Sequence, residues 1–492
     1  MLESQAADHD PGPSDRKVRG NTPAGEVNMK IDPKSIIQGA TTAVSPLYDE
    51  LLAKDTRPVH PTLAARGAFA FEGDAIPRDR YFSAAFAKAE REHVWKKTWQ
   101  FAAREEEIPE VGDRIEYAVA GMSFMIIHAA PGTFKAFWNS CLHRGRKLCE
   151  DYGTGMQIKC PFHGWTWNID GTMAKQPGDW DFPQAQKENL GLPEVPCDTW
   201  GGNIFINPDP EAGPLKDALG VLVEHFADYE FDKRWTAIHV RKKVRANWKV
   251  AMEAFLEGWH LSETHPQAQS FNGDSNTLYD IWEDEHAQIS RSITPSAVPS
   301  PELGEEADTR AAVIEMCKAV TPPGVPLPDF DAIETLDRAF AAEYRRGGMA
   351  MMTGRDFGGI SDAQMLDAVQ YFMFPNWFPW WGEGAPLFYQ YMPLGENPDE
   401  CIMDIRFLLP MPASGERPPT AQRVDLDFDD SYQANNVGFG LFDEVFDQDM
   451  GNVPGVQQGA REGKPDQPLY FGRYQESRLR ALHARIARLC EA

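Results

Sequence analysis

The sequence predicts an α+β chain of two domains behind an N-terminal extension, and three patterns carry that prediction. Short apolar segments, among them EYAVA, SFMIIHA and TFKAFWN, follow Pro109 and Gly112 and are parted by Gly and Pro turns, so a β-rich region runs to about Pro208. Beyond Pro214, helical periods mix with strands. Residues 1 to 77 are instead rich in Pro, Gly, Ala, Asp and Lys, with only short apolar pieces such as SPLYDELLA, too little to bury much surface alone. The partition is an extension over 1–77, a β-rich domain with a leading helix over 78–210, and a larger mixed domain over 211–492.

The elements follow in order. Tyr81, Phe82, Phe86, Ala89, Val94 and Trp95 recur on one helical face, which predicts a helix from Arg78 to Trp99. KDALGVLVEHF reads as helix, TAIHVRKKVRANW as strand and WKVAMEAFLEGWHL as helix. A polar stretch from Thr294 to Pro328 reads as a surface loop enclosing one helix, ADTRAAVIEMCKAV. Strands are expected at Leu387–Pro393 and Cys401–Pro410, and the chain closes in a charged helix, YQESRLRALHARIARLCEA. No internal repeat is present.

Charge narrows the function. Against 48 Lys and Arg stand 74 Asp and Glu, a net charge of −26, and no basic run focuses a field on phosphates or anionic lipid. Nucleic-acid and membrane-surface roles are disfavoured. No apolar run reaches the roughly 18 residues of a bilayer span, and MLESQAADHD lacks the features of a signal peptide, so a cytoplasmic protein is expected. The seven cysteines are too sparse for a disulfide scaffold. Three of them, Cys141, Cys149 and Cys160, lie close together with two histidines.

Cys141-Leu142-His143 is followed by Cys160-Pro161-Phe162-His163. Two thiolates and two imidazoles satisfy a metal site, and zinc is the simplest occupant. The pairing of C-x-H with C-x-x-H, however, departs from the usual zinc spacings. It suits a diiron cluster with both cysteines on one iron and both histidines on the other.

Farther on, Glu257, His260 and His265 are spaced three and five apart. On a regular helix His260 and His265 would point about 140° apart. Pro266 biases His265 away from helical dihedrals, so a helix break near Leu261 is expected, with His265 reaching a metal from a loop or distorted turn. Two histidines and one carboxylate form the facial triad of mononuclear iron(II). The stretch YFMFPNWFPWWGEG gathers Phe372, Phe374, Trp377, Phe378, Trp380 and Trp381, which suit the wall of an apolar or aromatic ligand site or the core around a sheet. Met252, Phe255 and Leu256 are further lining candidates.

NSCLHRGRKLC and KCPFHGWTWNIDG resemble the two cluster-binding loops of the Rieske iron–sulfur family, and NWKVAMEAFLEGWHLSETH resembles the mononuclear-iron segment of Rieske non-haem iron oxygenase large (alpha) subunits of the aromatic-ring-hydroxylating type. The resemblance covers roughly residues 78 to 465. It implies a Rieske β-sandwich-like [2Fe-2S] domain followed by a helix-grip catalytic domain, an antiparallel sheet with a long helix. It implies cluster ligation by Cys141, His143, Cys160 and His163, with Gly145, Gly153, Gly155 and Gly164 admitting backbone N–H groups to the sulfides and Trp165 as shielding aromatic. Cys149 is not needed as a ligand and reads as a small buried side chain. By the same resemblance His260 and His265 bind Fe(II), and FDQDMGNVPGVQQG selects Asp449, eight residues before Gln457, as the third ligand; Asp443, Glu444 and Asp447 compete with it.

Glu257 stands where the family often has Asp, the acid that joins the iron site to the cluster histidine of the adjacent subunit, here His163. Ala254 and Trp259 stand where many members have Asn and Tyr. The resemblance implies a head-to-tail homotrimer, with or without a small β subunit, that takes O2 and a small organic substrate. No dinucleotide fingerprint or second Cys cluster is present, so a separate NAD(P)H-dependent reductase, with or without a ferredoxin, must supply electrons. Hydroxylation of an apolar or aromatic molecule is the first expectation. Oxidative N- or O-demethylation is the alternative, and an electron-transfer protein without oxygenase activity is the alternative of another class.

Overall fold

The computed structural model describes residues 47–68, 75–322 and 324–491. The first 46 residues of the extension lie outside them. The segment from 47 to 68 is laid on the larger domain. Its helices Tyr48–Leu52 and Pro61–Ala64 bury Tyr48, Leu51 and Leu63. Thr56 Oγ1 donates to Asp362 Oδ1 at 2.8 Å, and Arg291 Nη1 donates to the Thr62 carbonyl at 2.6 Å. The apolar pieces of this segment are thus part of a core that the rest of the chain completes.

The helix expected over Arg78–Trp99 is three shorter pieces: a 3-10 turn Arg78–Tyr81, an α-helix Ala84–Glu90 capped by Ser83, and a π turn Arg91–Trp95. Ser83 takes the Phe86 N–H and stops the first turn from running on. Tyr81, Val94 and Trp95 pack in one core with Leu479, Leu482 and Ile486 of the C-terminal helix.

The β-rich region holds a five-stranded antiparallel sheet built on Arg114–Val119, Met122–Ala130 and Thr133–Trp138, and a three-stranded sheet of Gln100–Arg104, Cys197–Trp200 and Asn203–Ile206. Ala120 and Gly121 join the first pair with φ of 49° and 72°, the left-handed pair that a two-residue hairpin requires. A small three-stranded sheet, Gln157–Lys159, Thr166–Asn168 and Met173–Lys175, projects the second Cys–His loop. Arg104 fastens this region to the larger domain: it donates to the Arg234 carbonyl at 2.8 Å and to Glu106, which in turn accepts from Thr236 Oγ1 at 2.7 Å.

The larger domain is organised by an eight-stranded sheet in the order Leu278–Glu283, Gln288–Thr294, Ala368–Met373, Trp377–Trp381, Leu387–Pro393, Cys401–Pro410, Arg234–Val244 and Val424–Leu426. All neighbours are antiparallel except the last pair. Successive side chains face opposite sides. Tyr371, Trp377, Trp381 and Phe388 meet Leu63 and the 215–231 segment, while Phe372, Phe378, Leu387 and Tyr389 meet the helices Trp248–Glu253, Leu441–Glu462 and Ser477–Cys490. Both faces are therefore covered, and the aromatic stretch is mostly core.

Three local expectations shift. KDALGVLVEHF divides into Leu215–Leu219 and Leu222–His225 at Gly220, whose φ is 49°. The charged C-terminal helix is largely buried, because Arg478 spends its guanidinium on Ser290, Ser292, Gln370 and the Leu256 carbonyl. Helix Trp248–Glu253 ends before Glu257 rather than near Leu261, so Glu257 and His260 stand on turns and not on a helix face. Helix Thr309–Ala319 and strands Leu387–Pro393 and Cys401–Pro410 lie where the sequence places them.

Candidate metal centres and the cavity beside them

The two Cys–His loops share one backbone design. Cys141 N–H donates to the Arg146 carbonyl and accepts the Gly145 N–H on its own carbonyl, both at 2.9 Å; Cys160 and its partners Trp165 and Gly164 repeat the pattern at 2.8 and 3.1 Å. Gly145 and Gly164 hold φ of 73° and 75°, which L side chains rarely adopt. The design turns each chain so that Cys and His point the same way. Cys141 and Cys160 are buried side by side, and the N–H groups of His143 and Arg144 aim at the Cys141 sulfur.

The rings of His143 and His163 lie 4.5 Å apart, and Trp165 stacks on His143 at 5.3 Å and 12°. Neither histidine makes a hydrogen bond to the described residues, so their nitrogens remain free to ligate, and the donor set fits a cluster of the Rieske type. His163 is exposed at the tip, with Leu142 and Phe162 beside it at 38% and 54% exposure. Cys149 is buried away from this group, its sulfur 4.0 Å from the Arg114 carbonyl, and burial pushes its thiol up to about 11.

The second group is assembled from distant chain segments. His260 opens the short helix Leu261–Thr264, and His265 closes it with φ −125° and ψ 62°, the non-helical geometry that a residue before proline favours. Asp449 comes from the helix Leu441–Glu462. Ligand atoms of His260, His265 and Asp449 lie within 4.8 Å of one another. His260 Nε2 is 3.5 Å and His265 Nε2 3.1 Å from Asp449 Oδ1. Yet the buried His265 Nε2 has no hydrogen-bond partner among the described residues. That orphaned atom is what a metal would satisfy.

Each ring is oriented through its other nitrogen. His260 Nδ1 bonds Glu257 Oε1 at 2.6 Å, and His265 Nδ1 bonds Gln448 Oε1 at 2.7 Å. Glu257 Oε2 also accepts the backbone N–H groups of Trp259 and His260. Burial opposes charge on His260, but the carboxylates of Glu257 and Asp449 outweigh it and push its pKa up to about 10. Burial likewise opposes charge on Asp449, and the two histidines hold its carboxyl below the usual range.

Of the competing acids, Glu444 is exposed and the other two have other duties. Asp447 accepts from Ser431 Oγ and from the N–H groups of Tyr432 and Gln433; Asp443 takes the Phe439 N–H. Gln457 accepts the Asn247 N–H and donates to Asp399, holding the start of the Trp248–Glu253 helix. Gln448, unremarked in the sequence, is a neighbour of Asp449 with no motif to single it out.

His260, His265 and Asp449 line a cavity of about 400 Å3. Its walls are mainly apolar, with Phe255, Trp380, Tyr389 and Phe446 near these residues in the same lining. Of the six aromatic candidates in the stretch only Trp380 lines it; Phe372, Phe374, Trp377, Phe378 and Trp381 are core. Phe255 lines it, whereas Met252 and Leu256 turn into the core.

The profile of the ring hydroxylating alpha subunit (catalytic domain) matches residues 226–492, and that of the Rieske [2Fe-2S] domain matches residues 98–185. The chain belongs to the ring-hydroxylating alpha subunit family. It is 30% identical over 195 residues to the oxygenase subunit of a carnitine monooxygenase from Acinetobacter pittii, covering 39% of this chain and 52% of that protein. To the large subunit of an anthranilate 1,2-dioxygenase from Burkholderia cepacia it is 27% identical over 215 residues, 41% of this chain and 50% of that protein. The chain thus spans about half the length of the curated relatives it matches. Its fold matches that of the quaternary ammonium Rieske monooxygenase CntA, with a TM-score of 0.59 at 17% identity over 86% of this chain and 96% of the other. It also matches a naphthalene 1,2-dioxygenase from Rhodococcus, at 0.54 and 20% over 85% and 94%.

Proposed function

We propose that this chain is the terminal oxygenase component of a multicomponent system, using O2 and electrons from a separate NAD(P)H-dependent reductase, directly or through a ferredoxin, to hydroxylate an apolar or aromatic small molecule. Cys141, His143, Cys160 and His163 hold the [2Fe-2S] cluster; His260, His265 and Asp449 hold mononuclear Fe(II). The observation that carries this reading is the convergence of those three side chains beside a largely apolar cavity, in a chain that also brings two Cys–His loops together. When bound, the cluster supplies single electrons and the iron supplies a site for activating O2.

The protein's own groups do the rest. Glu257 and Gln448 accept from the outer nitrogens of His260 and His265 and keep each Nε2 lone pair directed inward. The aromatic walls exclude water and hold the substrate beside the triad. Glu257 is the acid that receives the partner subunit's His163 in a head-to-tail trimer, with or without a small β subunit. The exposed tip around His163 and the half-exposed Trp259 beside Glu257 are apolar surfaces suited to such docking. No helix among the described residues is long and apolar enough to cross a membrane, and seven free thiols suit a reducing, cytoplasmic compartment.

The curated relatives named for carnitine and glycine betaine monooxygenation favour a second reading, oxidative demethylation or related monooxygenation, over ring dihydroxylation. Metal analysis tests the core of the proposal: three irons and two sulfides per chain are expected. Two irons with sulfide would mark an electron carrier, and a single zinc would defeat both. Turnover under labelled O2 with reductase then separates one-oxygen from two-oxygen products.

A further inference from the structure

The cavity wall carries a positive charge that the oxygenase reading leaves unused. Arg345, on the helix Arg338–Thr353, lines the cavity. Its Nε and Nη2 donate to the backbone carbonyl of Glu383 at 3.1 and 2.7 Å, which fixes the plane of the guanidinium. Nη1 has no partner among the described residues. The side chain of Glu383 lies near but makes its own hydrogen bonds to Arg234, with none to Arg345 among the described residues. Burial lowers the Arg345 pKa, and the nearby Glu383 carboxylate offsets this only in part.

Two further features lean the same way. Trp380 lines the cavity with a buried indole N–H that has no acceptor. Arg478, 2% or less exposed and in no ion pair among the described residues, holds Ser292 Oγ at 2.8 Å and Gln370 Oε1 at 2.9 Å from behind, and both of those residues line the cavity. The only acids in the lining are Glu257 and Asp449, and both are engaged by the histidines. Away from the triad the wall therefore offers one cation, Arg345, and the free Trp380 N–H, beside the unpaired Asn272 Oδ1 and no further acid. A neutral hydrocarbon would leave the half-buried Arg345 without an anionic partner in the cavity, and a bare cation would be repelled.

We infer that the substrate carries a carboxylate, which pairs with the Arg345 guanidinium while the rest of the molecule lies along the aromatic wall. The inference deepens the oxygenase reading and rests on it for the fate of the substrate, but binding alone tests it. Two sources of the carboxylate fit, an aromatic acid and a trimethylammonium acid.

The experiment is calorimetric titration of the intact protein, with cluster oxidised and without reductase, using 2-naphthoate against 2-naphthamide and γ-butyrobetaine against choline. At least one acid should bind on the order of tenfold or more tightly than its partner lacking the carboxylate, the gain a charge-assisted pair affords. The pair that shows the preference identifies the source. In Arg345→Gln that preference should collapse while the visible spectrum of the cluster and the iron content stay unchanged, and Arg345→Lys should restore part of it. Equal binding of the acid and its partner lacking the carboxylate in both pairs would overturn the inference, as would a preference that survives in Arg345→Gln. Should Arg345→Gln fail to fold, the comparison within the unmodified protein still decides. Failure here with three irons per chain condemns the carboxylate alone; absence of the irons condemns the oxygenase reading instead.

Discussion

The two candidate centres each use a pair of histidines, and they solve opposite problems with them. At the tip of the first domain, His163 is exposed and flanked by exposed Leu142 and Phe162, while only the sulfurs of Cys141 and Cys160 are buried. In the larger domain, His265 and Asp449 are 2% and 3% exposed, and every outer nitrogen is already bonded within the chain. The first arrangement leaves imidazole edges available to another protein; the second closes them off. One is local, two loops of six residues held by their own carbonyls, and the other needs a turn after one helix and the middle of another to meet beside a sheet. An electron-receiving site has to be reached by partners, whereas a site for oxygen chemistry has to be kept from bulk water.

The largest effects should show that the two centres are separable. Asp449→Ala removes the only carboxylate of the triad, so mononuclear iron should fall to a trace and turnover by at least about 100-fold. Paramagnetic resonance of the dithionite-reduced cluster should be unchanged. Cys160→Ser should give the reverse, loss of colour and sulfide with the triad iron retained, and activity gone because electrons no longer arrive. Loss of both centres in either variant would mean that the two regions fold as one unit, and the comparison would break.

Glu257→Gln should have the next largest effect. It preserves size and one acceptor oxygen toward His260 Nδ1, so both metals should remain, but the charge that would meet the partner subunit's His163 is gone. Turnover should drop by about 100-fold, the scale on which a positioned proton acceptor contributes. Single-turnover measurement with a pre-reduced cluster localises the loss to electron delivery. Near-normal product formation would show that the exposed tip passes electrons by another route.

The same division between local and distant governs how much was legible in the sequence. The Cys–His loops and the Glu257–His260–His265 run are short contiguous patterns, and the proline after His265 foretells its non-helical backbone. The break itself falls earlier than expected, because helix Trp248–Glu253 stops once its apolar face has been spent on the core. Asp449 could be selected only by resemblance: four acids lie within seven residues, and what separates Asp449 from Asp447 is the direction each faces around helix Leu441–Glu462, one to the histidines and one to the Ser431 turn. The aromatic stretch shows the limit of composition. Its residues alternate between two covered faces, so a run that reads as a ligand wall supplies one aromatic wall residue, Trp380. Arg345 sits beside Arg346 on one helix with no pattern to separate them; Arg346 is spent on Asp362 and the Ile360 carbonyl.

The smallest effect tests whether the closed centre depends on its outer bonds as the open one does not. Gln448 Oε1 accepts from His265 Nδ1 at 2.7 Å and is itself held by Gln267 Nε2 at 2.8 Å, a relay that fixes the ring and its tautomer. Gln448→Leu keeps the bulk but removes the acceptor, leaving the His265 Nδ1–H unpaired in a buried site. Affinity for Fe(II), measured by competition with a chelator, should weaken by about 10-fold, the lower range for loss of such a partner, with substrate binding and the cluster spectrum unchanged. Gln448→Glu should recover the metal affinity, since a carboxylate accepts the same bond more strongly. If Gln448→Leu holds iron as tightly as the unmodified protein, packing alone orients His265, and the two centres differ in exposure but not in how their histidines are held.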